Sequence, residues 1–434
     1  MTQIDWPSVL ELTLDGIAQG GEGVGRWQDR VVFARGGLPG ERVQVRLRER
    51  REAYARGDVV EVFEASADRV APRLPGADHM PWQHIAYPAQ LGFKRQILAD
   101  QLAKIGGFAD LPVAETLAAA RPWGYRNSAR LHSLGGRIGY YAAESHDLQE
   151  IEADPLLLPV LNDALAALRA VVGAGAPAPA EVILRASEAY GYALAALPRP
   201  ERPQGRGADA EATRDLRELA TRWRMRCPAL AGITLPGGAG QPSVALGADQ
   251  LIEELGGIAF HLRPTTFFQV NGAAAETLLG LVRAGLELEG GERLLDLYCG
   301  AGAFALPLAG TAAEVLGVEE YASAVEDGRT TAAANGIDNV RFEVGRVEAA
   351  LRELEGPFDA VVLDPPRRGC HPLAIQELLR LAPARIVYVA CHPATLARDL
   401  KLLAAGGYRV VSVQPIDLFP QTAHIESVVV LARE

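Results

Sequence analysis

The sequence predicts a multi-domain fold: an N-terminal OB-like β-barrel, an α+β central domain and a C-terminal α/β domain with a doubly wound sheet. Residues 8–64 alternate apolar and polar side chains at period two between glycine-rich breaks, residues 107–260 mix strand and helix patterns, and from about residue 290 strands and helices alternate. The 434 residues also amount to almost three domains of ~150 residues. The expected spans are 1–66, 67–262 and 263–434.

In the first span, Leu10, Leu12 and Leu14, then Val31 to Phe33, then Val43, Val45 and Leu47, then Val59 to Phe63 read as short strands. Gly20, Gly21, Gly23 and Gly25 supply corners and no helical stretch intervenes, which is the pattern of a small barrel. Residues 42–56 hold six Arg against two Glu, several at alternate positions and so along one strand face. That face reads either as solvated or as tracking phosphates.

Residues 88–106 carry a helical pattern. Residues 121–137 hold four Arg and no acid, interleaved with Trp123 and Tyr125 and followed by Tyr140 and Tyr141. Arginine among aromatics suits base stacking and phosphate contact, and an ordinary sheet edge has the same composition. The Pro-, Gly- and Ala-rich stretches 172–180 and 199–212 read as surface loops.

In the third span strands are expected at 293–297, 314–319, 340–344, 359–363, 385–390, 408–413 and 427–431. Such sheets bind ligands beyond the carboxyl ends of their strands. The first strand runs through Asp296 into Tyr298-Cys299-Gly300-Ala301-Gly302, whose glycines let backbone approach a ligand closely. With Ala305 the spacing also fits a dinucleotide fingerprint, but a carboxylate at Asp296 repels a pyrophosphate and attracts a sulfonium. Glu319, 23 residues after Asp296, ends the second strand, about where a carboxylate accepts ribose hydroxyls. The fourth strand ends in Asp364-Pro365-Pro366, and the prolines fix an extended exit that holds the acid at the rim. The fifth ends at Cys391, just before a helix whose N-terminus favours a thiolate, which makes Cys391 the nucleophile candidate. Cys227, Cys299 and Cys370 take structural or incidental places, and Glu426 precedes the last strand close to the same rim.

Composition narrows the class. Apolar residues at 49% and charged residues at 22% exclude a disordered, fibrous or disulfide-scaffold chain. Four cysteines without a CxxC pair predict reduced thiols and no structural zinc. Met1 to Trp6 lacks an export signal, and the uncharged stretch 227–248 is broken by Gly and Pro, so a cytoplasmic location without a membrane span is expected. A net charge of −11 opposes coating of nucleic acid by bulk electrostatics and leaves room for a local basic groove.

Gly20 to Gly25 and Gly37 to Glu41 come first in the chain, then Tyr125-Arg126-Asn127 and Ser145-His146, then Phe267-Phe268-Gln269-Val270-Asn271. The 298–302 turn, 364–369, 391–398 and 424–426 follow. In this order they resemble the RNA 5-methyluridine (uracil-C5) methyltransferases, which act on transfer and ribosomal RNA. The N-terminal segment resembles a TRAM domain, a small RNA-binding barrel, and the resemblance covers nearly the whole chain. It implies a Rossmann-like class I methyltransferase domain, S-adenosylmethionine as cofactor and RNA as partner. It further implies Cys391 as the nucleophile that adds to uracil C6, Glu426 as the base that removes the C5 proton, and Gln269, Tyr298, Glu319 and Asp364 as cofactor contacts. That chemistry is coherent, because uracil C5 is too weak a nucleophile until a thiolate has added at C6, and the base must first leave its stack.

The chain departs from the family pattern in places. Ala71, Ala77, Met80 and Asp154 stand where many relatives carry four cluster cysteines, so no iron–sulfur cluster is expected. Ala303 and His392 stand where Asn is usual. Ribosomal RNA is the expected substrate, with transfer RNA as the alternative. A catalytically silent RNA-binding protein on the same fold is a second class, and a nucleotide-dependent oxidoreductase is opposed by Asp296. A monomer is expected, since no coiled-coil repeat is present.

Overall fold

A computed structural model of the chain describes residues 6–143, 145–198, 208–237 and 243–434. They divide into two compact units, one of Met1–Ala119, Ala390–Lys401 and Ser412–Ser427, the other of Ala120–Val389, Leu402–Val411 and Val428–Glu434. Residues 1–5, 199–207 and 238–242, on which parts of the leader, loop and uncharged-stretch readings fall, lie outside the described residues.

The first unit opens with β1 (Val9–Ile17), β2 (Gly23–Trp27), β3 (Arg30–Arg35), β4 (Arg42–Arg50) and β5 (Tyr54–Glu64), closed as a barrel in the order β1-β2-β3-β5-β4. Period-two alternation sends Leu10, Leu12, Leu14, Val43, Val45 and Leu47 inward. On the outer face Arg42 pairs with Glu11 and Glu64, Arg48 with Asp58, and Arg56 with Glu22, while Arg46 and Arg50 are exposed. The arginine-rich stretch is therefore in large part an ion-paired, solvated face. Helix α1 (Tyr87–Gln101) has proline in its first turn and runs on as a π-helical turn, Leu102–Gly106, ending at Gly107 with φ 79°.

The second unit carries β6 (Ser128–Leu134), β7 (Arg137–Tyr141), β8 (Leu148–Glu150), α2 (Pro159–Gly173), β9 (Glu181–Ala186), β10 (Ala193–Ala196), α3 (Ala208–Arg226), β11 (Leu230–Leu235) and β12 (Val244–Gly247). The strands form one sheet in the order β12-β11-β10-β9-β6-β7-β8. Leu161, Leu165 and Leu168 of α2 and Trp223 of α3 pack on Leu131, Val182 and Leu184, and the Trp223 indole donates to the Ala164 carbonyl at 2.8 Å. One expectation is corrected. Residues 172–173 belong to α2 and 208–212 to α3, where alanines and Glu211 favour helix over loop. Tyr125 is buried, Tyr140 is half-buried against the core and donates to Asp154 at 2.8 Å, and Arg121 and Arg130 pair with Glu188 and Glu181. The exposed ring is Tyr141, stacked on His132 at 4.0 Å.

A hairpin, β13 (Leu251–Leu255) and β14 (Ile258–Leu262), and α4 (Gly272–Leu286) precede a second sheet. Its elements are β15 (Arg293–Leu297), α5 (Ala305–Leu308), β16 (Glu314–Glu319), α6 (Ala322–Ala334), β17 (Val340–Val344), α7 (Val347–Glu353), β18 (Ala360–Leu363), α8 (Pro372–Leu381), β19 (Arg385–Ala390), α9 (Pro393–Ala405), β20 (Tyr408–Ile416) and β21 (Glu426–Arg433). The order is β17-β16-β15-β18-β19-β21-β20, with β17 to β19 parallel. All seven expected strands are present within a few residues of their expected ends; the apolar runs of β15, β18, β19 and β21 are buried on both faces, as helices on either side require, while the edge strands β17 and β20 leave Val344 and Val411 exposed. Among the described residues no helix is long and apolar enough to cross a membrane.

Candidate functional site

In the second unit the turn after β15 is shaped by backbone that ordinary residues avoid. Tyr298 stands at φ 64°, Gly300 at 56° and Gly302 at 86°. A side chain at Gly302 would meet the Phe342 ring at 2.8 Å, whereas Gly300 borders open space. Glu319 fastens this turn from the end of β16, accepting the Gly300 amide at 3.0 Å and the Tyr321 amide at 2.9 Å.

Asp296 is fully buried on β15 and accepts the Ala305 amide at 2.9 Å through Oδ2, while its Oδ1 has no hydrogen-bond partner. Burial pushes its carboxyl well above the usual range, with the charges of Asp364 and Glu319 adding to the shift against the Ala305 amide. Asp364, just beyond β18, is pushed up to about 7 by burial. The Cys299 thiol is raised by burial and by Asp296 and Glu319, and burial with the neighbouring Cys370 raises the Tyr298 hydroxyl. Three acids thus act on one buried region, an arrangement that favours a ligand bringing positive charge.

Gln269 is buried between β14 and α4. Asn127 grips this segment, its side chain donating to the Gln269 carbonyl at 3.1 Å and its backbone amide to the Val270 carbonyl at 2.9 Å. Before it, Arg263 and Thr266 bond the fully buried Asp327 of α6 at 2.8 and 2.5 Å. After it, Asn271 caps α4 by accepting the Ala274 amide. In sequence Asn127 stands beside Tyr125 and Arg126 without a visible role, and Asp327 carries no signal, since its partners lie more than sixty residues away.

In the first unit, Cys391 follows β19 and is the one cysteine that is not buried. Glu426 opens β21 and is buried, although an isolated glutamate at a strand start is usually solvated. Ser427 Oγ donates to the Ala390 carbonyl at 3.4 Å, so the neighbours of the two candidates are bonded to each other. His392 Nδ1 accepts the Thr395 amide in the first turn of α9. The segment before Glu426 is clamped by α1. Lys94, fully buried, donates to Asp417 at 2.6 Å and to the Phe419 carbonyl at 3.0 Å. Gln90 exchanges two 2.9 Å bonds with Gln421, which stands at φ 67°. Gln269, Tyr298, Glu319 and Asp364 therefore belong to the second unit, Cys391 and Glu426 to the first. Among the described residues no His, Cys, Asp and Glu side chains gather in a group able to hold a metal ion.

Residues 233–434 match the family model described as tRNA (Uracil-5-)-methyltransferase, and residues 8–60 match that of the TRAM domain. An RNA methyltransferase of Thermosynechococcus vestitus is 38% identical over 450 residues, 98% of each chain. The 23S rRNA (uracil(1939)-C(5))-methyltransferase of Alkalilimnicola ehrlichii is 35% identical, covering 98% of this chain and 97% of that one. The crystal structure of Pyrococcus abyssi tRNA (uracil-54, C5)-methyltransferase in complex with S-adenosyl-L-homocysteine has the same fold, with a TM-score of 0.74 and 24% identity over 98% of this chain and all of that one.

Proposed function

The chain belongs to the RNA uracil-C5 methyltransferase family, and on that footing we propose that it forms 5-methyluridine in ribosomal RNA with S-adenosylmethionine as methyl donor. The observation that carries this reading is the pairing of the one accessible thiol, Cys391, with the buried carboxylate Glu426 on segments joined by the Ser427–Ala390 bond. Ribosomal RNA is favoured because the relative named for that substrate aligns over nearly all of both chains. For the chain itself we keep the division 1–66, 67–262 and 263–434.

The residues of the second unit fit the donor. Asp296 and Asp364 suit its cationic part, Glu319 its ribose, and the open space at Gly300 admits a close ligand; Gln269 and Tyr298 complete the set that would hold it. When bound, S-adenosylmethionine supplies an electrophilic methyl group. Cys391 Sγ, as a thiolate at the N-terminus of α9, adds to uracil C6, and the new C–S bond leaves an enolate that is nucleophilic at C5. Once C5 is methylated, a Glu426 carboxylate oxygen takes the C5 proton, the C6–S bond breaks and the thiolate is restored.

RNA containing 5-fluorouridine tests the scheme, since fluorine at C5 cannot leave as a proton does. Wild-type protein should form an adduct that survives denaturation and Cys391→Ala none, while Glu426→Gln should accumulate an adduct on ordinary RNA. Full activity in Cys391→Ala would overturn the assignment. Mapping of 5-methyluridine in a strain without the gene decides the substrate: loss from ribosomal RNA supports the reading, and loss from transfer RNA alone refutes it.

A further inference from the structure

One barrel turn reaches both chain segments that carry the proposed catalytic pair. The turn between β1 and β2 is closed by the Ala18 amide on the Glu22 carbonyl at 2.8 Å and the Gly21 amide on the Ala18 carbonyl at 2.9 Å. On one side, the Gln19 side-chain amide lies 2.7 Å from Nε2 of His392, the residue after Cys391 and 373 positions away in the chain. The amide offers a donor and an acceptor, so it bonds the ring in either neutral tautomer. On the other side, the Gly21 carbonyl accepts the Trp82 indole N–H at 3.3 Å. A Cβ built on Gly21 would fall 2.7 Å from the Cβ of Ala423, three residues before Glu426, and 2.2 Å from the Trp82 indole nitrogen. With φ of 100° at Gly20 and 87° at Gly21, the turn needs glycine both for its backbone and for this close approach.

We propose that this turn is a positioning element for the covalent step, with Gln19 setting the segment of Cys391 and Gly21 the segment of Glu426. The proposal rests on the reading of those two residues given above. It assigns the barrel a share in catalysis besides any contact with RNA, because a nucleophile or base displaced by a fraction of an ångström loses much of its effective concentration. Gln19 and Gly21 are positioning residues, since each acts through a neighbour of the reacting group.

The test uses the full-length protein under single-turnover conditions with S-adenosylmethionine and either ordinary or 5-fluorouridine RNA. Gln19→Ala should slow adduct formation about tenfold, the worth of one hydrogen bond, while leaving S-adenosylmethionine affinity by calorimetry and RNA affinity by filter binding within about twofold. Gly21→Ala should form the adduct and resolve it slowly, so that the methylated adduct builds up on ordinary RNA. A role confined to scaffolding would not separate the two steps in this way. Adduct formation in Gln19→Ala within twofold of wild type, or a slowing fully accounted for by weaker RNA binding, would overturn the proposal. If Gly21→Ala does not fold, by circular dichroism, Gln19→Ala decides alone. A wild-type protein that binds both ligands and forms no adduct would instead refute the reading of Cys391.

Discussion

Replacing Lys94 by methionine keeps the length of the side chain and removes its charge. Lys94 and Asp417 are both wholly shielded from solvent, 2.6 Å apart, and Lys94 also donates to the Phe419 carbonyl at 3.0 Å. The substitution leaves a buried carboxylate held by the Phe419 amide at 3.2 Å and by the Tyr87 hydroxyl. Stranding one partner of a buried pair costs about 3–5 kcal/mol, a large part of the ~5–15 kcal/mol by which domains are stable. The expected loss for Lys94→Met is about 3 kcal/mol, the low end of that range, because the Phe419 amide and the Tyr87 hydroxyl soften the penalty. Adding Asp417→Leu removes the stranded charge, and the double variant should recover most of the loss. Urea unfolding followed by circular dichroism measures both. Lys94→Met within ~1 kcal/mol of wild type, or a double variant less stable than the single one, would refute the reasoning.

Two further outcomes follow from the second unit. The folded Asp364 titrates near 7, above its ordinary value, so the stability contributed by its neutral form is present at low pH and lost as pH rises through about 7. The charged form that appears there attracts a sulfonium, so affinity for S-adenosylmethionine relative to S-adenosylhomocysteine, which lacks the sulfonium charge, should rise up to ~tenfold from about pH 6 to about pH 8 by calorimetry. Asp364→Asn should flatten that rise and raise the melting midpoint of the free protein at alkaline pH; an unchanged pH dependence in the variant would refute this role. Asn127→Ala removes the 3.1 Å bond to the Gln269 carbonyl and should weaken S-adenosylmethionine binding about three- to tenfold with RNA affinity unchanged; equal affinity for the cofactor would show that the segment holds itself.

The doubly wound sheet was legible because strands buried on both faces are continuous apolar runs separated by helices, and because ligand chemistry sits at their ends. That position alone distinguished Cys391 from Cys227, Cys299 and Cys370, and the latter three are buried. The surfaces were less legible. The arginines of β4 looked unopposed in sequence, yet Glu11 and Glu64 come from neighbouring strands that only pairing brings alongside. Tyr125 and Tyr140 sit among arginines in the chain and turn inward in the fold, since composition does not say which face of a strand a ring takes. Lys94 and Asp417 leave no mark of their pairing, because one long-range contact between single residues has no period to detect.

The same separations set an order of assembly. Gln19–His392, Gln90–Gln421 and Lys94–Asp417 join positions 373, 331 and 323 residues apart. At synthesis rates of ~5–20 residues per second, Lys94 waits roughly 15–65 s for its counter-ion. Over that interval Ile17, Leu38, Trp82 and Ile85 cover the apolar side of α1 without Ile425, and a nascent chain ending before residue 417 holds an ammonium group with no counter-ion to draw it out of water. Contacts of this span also make folding slow, since the loops they close are long. The surroundings of Cys391 and Glu426 therefore form late, and a newly made chain gains its proposed covalent chemistry only after synthesis has passed Glu426.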